Sequence, residues 1–131
     1  MAGFLKRLLG NRGERKAAKF LRKLGYRILH RQYRNRLGEI DLIAREGSTI
    51  VFVEVKTRSS TAAGNPAEAV NFTKQKKLTM LALAYLKRYN LLEHSARFDV
   101  VAIVWPAGGV KPEITHYKNA FEPVGHGQMF A

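Results

Sequence analysis

Three side chains in the middle of the sequence have the types and spacing for phosphoryl chemistry. Asp41 stands in the apolar run Ile40-Asp41-Leu42-Ile43, and Glu54 and Lys56 stand in Val51-Phe52-Val53-Glu54-Val55-Lys56-Thr57. Ionised groups in apolar, strand-like runs are costly unless something uses them. The chain has 10 acidic residues against 23 Lys+Arg, so where it puts its carboxylates is informative. Strand side chains alternate between faces, so Glu54 and Lys56 point the same way as Phe52, opposite to Val53 and Val55. By the same rule Asp41 is expected to share a face with Glu39 and Ile43. A turn at Glu46-Gly47-Ser48 lets the two runs pair and brings Asp41 close to Glu54. Adjacent carboxylates repel and titrate high unless a cation sits between them. Hard oxygen donors suit Mg²⁺ or Mn²⁺. Lys56 beside such a site could orient or deprotonate an attacking water, or stabilise developing charge. The chemistry implied is metal-assisted hydrolysis of a phosphodiester. A plainer reading stays open: cross-strand ion pairs on an exposed sheet face.

Two further polar residues fall near the inward faces of predicted helices. Glu14 lies about one turn before Ala17 and two turns before Leu21, nearly in line with Leu21. Gln75 precedes Leu78 by three residues and Ala82 by seven, which turns it toward the sheet. Each has a simpler reading. Glu14 is also an acid near a helix N-terminus that complements the macrodipole, and Gln75 is also a first-turn polar residue.

The elements that must position these groups follow from periodicity. A helix is predicted over Arg12–Leu24, with Ala17, Phe20, Leu21 and Leu24 inward and Gly25 as its stop. Strands are predicted over residues 26–33, 39–45 and 49–57. The last of these reads as apolar on both faces and therefore as central. Residues 58–65 form a polar loop, Asn65-Pro66 starts a short helix, and Thr73 caps a longer helix through Tyr89. That helix turns Leu78, Leu81, Ala82, Tyr85, Leu86 and Tyr89 inward. A buried strand follows over 98–105, then a Gly108-Gly109 turn, a weaker strand over 112–118 and an irregular tail, 119–131. The order α-β-β-β-α-β-β, with a helical crossover and a parallel return strand, gives an α/β fold: a mixed sheet flanked by helices. The 131 residues suffice for one domain. Residues 1–11 read as a basic N-terminal extension, 12–118 as the core.

The net charge of +13 points to a polyanionic partner. Residues 1–36 hold twelve Lys/Arg against Glu14 alone, which is +11 of that total. Nucleic acid is the first expectation and an anionic membrane surface the second. A solvated basic face that only aids solubility would look the same. With no cysteine the chain has no disulfides, thiolate zinc sites or Cys nucleophiles. No segment has the length or apolarity to cross a membrane, and the N-terminus has cations inside its apolar stretch, so a cytoplasmic location is expected.

Asp41, Glu54, Val55 and Lys56, on consecutive strands after a helix bearing Glu14, resemble the restriction-endonuclease-like PD-(D/E)xK nuclease core. Ile40 stands where that pattern often has proline. Glu14-Arg15 is similar to the pattern of archaeal-type Holliday junction resolvases. The closer resemblance is to the bacterial YraN-like family, a predicted nuclease group. It is carried by Gly13-Glu14, Gly38-Glu39-Ile40-Asp41-Leu42-Ile43, Val51-Phe52-Val53-Glu54-Val55-Lys56-Thr57-Arg58 and Lys74-Gln75-Lys76-Lys77-Leu78. It covers about residues 10–118. The resemblance implies a restriction-endonuclease-like core with Asp41 and Glu54 as ligands of Mg²⁺ or Mn²⁺, and Glu14 as a further ligand. It implies Lys56 as the catalytic lysine and Gln75 as a supporting site residue. Glu39 stands either behind the ligands or in an ion pair with an arginine. The cations expected on a nucleic-acid backbone are Arg12, Arg15, Lys16, Arg34, Arg36, Arg58 and Lys74. The substrate expectation is DNA, branched or junction DNA included, with RNA equally compatible with phosphate neutralisation. A homodimer is expected by analogy with the resolvases.

Two other function classes stay open on the sequence. The chain could be a non-catalytic nucleic-acid-binding module of a repair or recombination assembly. It could also be a membrane-peripheral or RNA-associated protein led by Phe4, Leu5, Leu8 and Leu9 with Lys6 and Arg7. The histidines at 30, 94, 116 and 126 show no ligand spacing. Trp105, before Pro106, reads as a strand-end core residue.

Overall fold

The computed structural model describes residues 2–58, 70–106 and 111–125, with side chains from residue 11 onward. The elements are α1 (Ala2–Lys23), β1 (Arg27–Asn35), β2 (Gly38–Glu46), β3 (Thr49–Arg58), α2 (Phe72–Arg88), β4 (Ala96–Val104) and β5 (Glu113–Phe121). The order is the expected α-β-β-β-α-β-β. The five strands form one sheet in the order β1-β2-β3-β4-β5. The pairs β1–β2, β2–β3 and β4–β5 are antiparallel. The α2 crossover makes β3–β4 parallel. The apolar run of β3 is the central strand, as its two-sided hydrophobicity requires.

The two faces of β3 each bury a helix. Ile50 and Phe52 pack with Leu78, Leu81, Tyr85 and Leu86 of α2. Val51 and Val53 pack with Ala17, Ala18 and Leu21 of α1. The fold is a three-layer α/β/α domain with the sheet in the middle.

Several boundaries differ from the sequence reading. Residues 2–11 are not an extension but the first turns of α1. Arginine, lysine and leucine are good helix formers, so this basic segment continues the helix. Leu24 is 54% exposed rather than inward. The helix ends one residue earlier, where Tyr26 N–H bonds Leu21 carbonyl and Gly25 N–H bonds Arg22 carbonyl. This cap needs the left-handed φ of +96° that Gly25 supplies. The cap of α2 is Asn71, not Thr73: its side-chain oxygen accepts Lys74 N–H at 2.8 Å. Tyr89 caps the other end of α2 and is 41% exposed instead of inward. Strand β5 runs through Phe121, so the irregular tail starts later than residue 119. The loop 59–65, the Asn65-Pro66 helix start and the Gly108-Gly109 turn lie outside the described residues.

Strict alternation also breaks in β2. Ile40 and Ile43, three residues apart, both pack under α2, while Leu42 and Ala44 pack under α1. Asp41 therefore does not simply share a face with Ile43. The same break occurs across the ladder in β1. His30 and Tyr33, also three apart, both contact the Tyr85 ring. The pairs Arg31–Leu42 and Tyr33–Ile40 place Gln32 opposite Asp41. Gln32 has a φ of +52°, the left-handed conformation that inserts a kink into a strand. The two strands turn together at this point, and Asp41 lies at the bend.

Candidate metal and phosphate site

The β2–β3 ladder pairs Leu42 with Val53 as its last step toward the β2 N-terminus. Beyond it the carboxylate of Asp41 takes over the role of a strand carbonyl. Its Oδ2 accepts Val55 N–H at 2.8 Å. This side-chain bond holds Glu54 beside Asp41, close enough for the two carboxyl groups to perturb one another.

Glu14 arrives from α1. Gly13 makes this approach possible, because a Cβ at that position would fall inside the van der Waals shell of Thr57 Oγ1. With no side chain there, α1 settles directly on the end of β3. Glu14 is then 7% exposed and buried against the sheet. Glu14, Glu39 and Asp41 each present a carboxylate oxygen within 4.8 Å of the others. Glu39 thus stands inside the cluster, and it also accepts Arg34 Nε at 3.0 Å. The ion pair with an arginine is the one expected for Glu39. Glu54 lies beside this group, next to Asp41. Four of the chain's ten acidic residues converge here, in a protein of net charge +13.

A profile of the uncharacterised protein family UPF0102 matches residues 13–103. The chain belongs to that family. A UPF0102 protein of Caldicellulosiruptor saccharolyticus is 50% identical over 116 residues, covering 88% of this chain and 98% of its own length. One from Geobacter sulfurreducens is 48% identical over 116 residues, covering 88% and 90%. One from Rhodopirellula baltica is 48% identical over 120 residues, covering 89% and 72%.

In this UPF0102 chain the carboxylates are held in the wrong charge state for isolation. Burial, reinforced by Asp41, pushes Glu54 up to about 8. Burial also raises Asp41, against the pull of Val55 N–H, Glu54 and Lys74. Glu14 is raised by burial, with Asp41 and Glu39 adding to the shift and Gln32 opposing it. Two buried carboxylate oxygens, Glu14 Oε1 and Glu54 Oε2, have no hydrogen-bond partner. A buried acceptor left unsatisfied costs about 1–3 kcal/mol. Clustered, desolvated, under-bonded oxygens are the donor set a small hard cation satisfies. Glu14, Glu39, Asp41 and Glu54 fit Mg²⁺ or Mn²⁺ on that ground.

The cations are distributed unevenly around the cluster. Lys74, on the first turn of α2, places Nζ 3.8 Å from Glu54 Oε1. Lys56 lies two residues from Glu54 on the α2 side of β3, half-buried, and its charge opposes the rise of Glu54. Arg58 ends β3, with a buried Nη1 that has no acceptor. Arg34 is tied to Glu39, and Arg36 is exposed in the β1–β2 turn. Arg12, Arg15 and Lys16 lie on the exposed side of α1. Gln75 is half-buried as expected, but its Nε2 donates to Val70 carbonyl at 2.7 Å, at the entrance of α2.

Two polar residues matter here that sequence pattern did not single out. Gln32 Nε2 donates to Asn11 Oδ1 at 2.7 Å and to Glu14 Oε2 at 3.2 Å. Gln32 therefore both kinks β1 and orients Glu14. A lone Gln in a basic strand has no hydropathy signature. Only its position across from Asp41 reveals it, and that needs the register.

Proposed function

We propose that this UPF0102 chain is a divalent-metal-dependent endonuclease of the restriction-endonuclease-like PD-(D/E)xK type, acting on DNA, branched or junction forms included. The observation that carries the reading is the convergence of Glu14, Glu39 and Asp41 within 4.8 Å, with Glu54 beside Asp41 and Lys56 on the same strand face as Glu54. The order and parallel β3–β4 pairing agree with that fold type. A bound Mg²⁺ or Mn²⁺ would supply Lewis-acid polarisation of the phosphoryl group. Glu14, Glu39, Asp41 and Glu54 would hold it. Lys56 would orient the attacking water or stabilise charge on the phosphoryl oxygens. Lys74 would accompany the substrate phosphate nearest Glu54. The Asp41–Val55 bond fixes the two strands at the spacing these roles need.

The +13 charge supports nucleic acid as the substrate class, because a polyanion gains from clustered cations by releasing its counterions. The same charge also supports the second reading, a nucleic-acid-binding module without cleavage. Incubation of duplex, flap, single-stranded and four-way-junction DNA with Mg²⁺ or Mn²⁺ separates the two. Nicking by wild type that disappears in Asp41→Ala and Lys56→Ala supports the enzyme. Absence of metal-dependent nicking on all four substrates, or equal cutting by the variants, sinks it.

A further inference from the structure

The carboxylate cluster uses one side of α1. The other side carries Lys16, Lys19 and Lys23, spaced so that they line up along the helix. At 3.6 residues per turn, Lys23 sits about 180° around the helix from Glu14. These lysines face the start of β5 across a narrow groove. Its cavity of about 230 Å³ is lined by Lys16, Lys19, Lys23 and Lys111 above, with Phe20, Pro112 and Ile114 between them. The lining contains four cations and no acid. Arg12, one turn before Lys16 on the same helix, holds its guanidinium 4.6 Å from the Trp105 ring centroid. Trp105 packs at the margin of the same core cluster as Phe20 and Ile114, and its buried Nε1–H has no acceptor.

We infer that this α1–β5 groove binds an unpaired nucleic-acid strand. The phosphates run along Arg12, Lys16, Lys19, Lys23 and Lys111, and bases or sugars rest on Phe20, Pro112 and Ile114. Two properties select a single strand. Cations on the rim with an apolar floor match the alternation of phosphate and base along an unpaired strand, the arrangement of stacking platforms in electrostatic grooves. A duplex hides its bases and would leave the apolar floor unused. The cationic face from Arg12 to Lys23 extends about 16 Å, at 1.5 Å per residue, long enough for a strand rather than a single phosphate. The inference rests on the nucleic-acid part of the function proposed above and not on cleavage. It narrows the substrate class to nucleic acid with a single-stranded arm.

The test is fluorescence anisotropy of the full chain in EDTA, with a labelled oligothymidine, a blunt duplex of equal length and a flap. The variants are Lys16→Gln/Lys19→Gln/Lys23→Gln, Phe20→Leu, and a control, Lys76→Gln/Lys87→Gln/Arg88→Gln, that removes equal charge from the exposed side of α2. Losing three phosphate contacts should lower the slope of log affinity against log salt by about 2 for a single strand. The expected loss in affinity is tenfold or more, with the α2 control unchanged. Phe20→Leu, which keeps an apolar side chain, should weaken single-strand binding at least about fivefold and leave the duplex unaffected. Equal losses in the α2 control, equal losses for duplex and single strand, or an unchanged salt slope overturn the inference. So does binding to phosphatidylglycerol vesicles without binding to any oligonucleotide. Because cleavage is not read, the outcomes separate. A chain that binds through the groove but never cuts keeps this inference and loses the nuclease reading. One that cuts but binds equally well without these lysines does the reverse.

Discussion

Asp41 Oδ2 accepts Val55 N–H at 2.8 Å, one step past the point where the β2–β3 ladder ends at Leu42 and Val53. A side chain thus completes a bond that a backbone carbonyl would otherwise make, while the same carboxylate belongs to the acidic cluster. One residue joins strand geometry to the acidic cluster. The two roles should separate by substitution. Asp41→Asn keeps an acceptor for Val55 and should fold with stability near wild type in EDTA. Asp41→Ala strands the Val55 N–H and should lose about 1–3 kcal/mol. Both should lose any rise in Tm produced by Mn²⁺, since ligand binding to the native state is what raises it. Urea denaturation in EDTA and thermal melting with Mn²⁺ check the two halves. An Asn variant that keeps the full Mn²⁺ shift would remove Asp41 from the metal site.

The raised carboxyl of Glu54 has a pH signature with a definite sign. Its folded value of about 8 lies above its ordinary 4.5. Between these values the native state binds more protons than the unfolded chain, so stability falls as pH rises. The favourable contribution is present in full below 4.5 and is lost progressively up to about 8. The slope is at most about 1.4 kcal/mol per pH unit for one group. In EDTA, Glu54→Gln should be less sensitive to pH than wild type across this window and more stable at its upper end. Metal binding requires the deprotonated group, so wild-type affinity for Mn²⁺ should rise over the same range. Parallel denaturation curves of the two proteins at several pH values decide it. Identical pH slopes would place the proton elsewhere.

Gly13 is required by proximity rather than by backbone conformation. A methyl group there would collide with Thr57 Oγ1 and lift α1 off β3. Gly13→Ala should therefore destabilise by about 1–3 kcal/mol, the range for overpacking, although alanine is the better helix former. Displacing α1 also moves Glu14, so the Mn²⁺ shift in Tm should shrink with it. Thr57→Ala removes the colliding oxygen and should recover most of both losses in the double variant. A double-mutant cycle measured by Tm checks the coupling. Additive effects would mean the two residues do not meet as described.

The sequence carried the fold because periodicity records which faces are buried. The runs 49–57 and 98–105 and the stripe Leu78–Leu86 locate the central strands and α2 without reference to contacts. Asp41, Glu54 and Glu14 were legible for a related reason: a charge in a buried pattern stands out. What was not legible depends on register and on local breaks in periodicity. Gln32, opposite Asp41, takes a left-handed φ of +52°, and Asp41 departs there from simple alternation with Ile43. Glu39 enters the cluster across that bend. Gln75 follows the predicted helical phase yet turns its amide back to the Val70 carbonyl, just before the Asn71 cap, a local contact that helical phase does not encode. The α1–β5 groove depends on the distant pairing of Lys111 with α1, which local pattern cannot show.

A further buried carboxylate, Asp99, also stands in an apolar run, but its partners come from far along the chain and could not be read from it. It is fully buried on β4. It accepts Arg97 Nε at 2.9 Å, His116 Nε2 at 2.7 Å and Asn119 N–H at 3.0 Å. Arg97 in turn reaches Tyr26 and Glu46. Burial alone would raise Asp99, but the bonds from His116, Arg97 and Asn119 outweigh it and hold the group below its ordinary value. This carboxylate is satisfied, in contrast to Glu14 and Glu54, and it ties β5 to β4 where their register shifts between Phe98 and Val100. Removing one member of such a buried pair leaves charged partners uncompensated, at about 3–5 kcal/mol. Asp99→Ala should therefore be the most destabilising of the carboxylate substitutions, without any effect on the Mn²⁺ response of the fraction that folds. A group whose folded value is depressed contributes stability above its unfolded value near 3.8, and this is lost as pH falls through the folded value. Wild type should accordingly show an acid-induced loss that Asp99→Asn lacks, opposite in sign to the alkaline loss from Glu54. Urea denaturation of the two proteins from neutral pH down to about pH 3 measures it. A variant with the same acid limb as wild type would show that Asp99 is not the group being titrated.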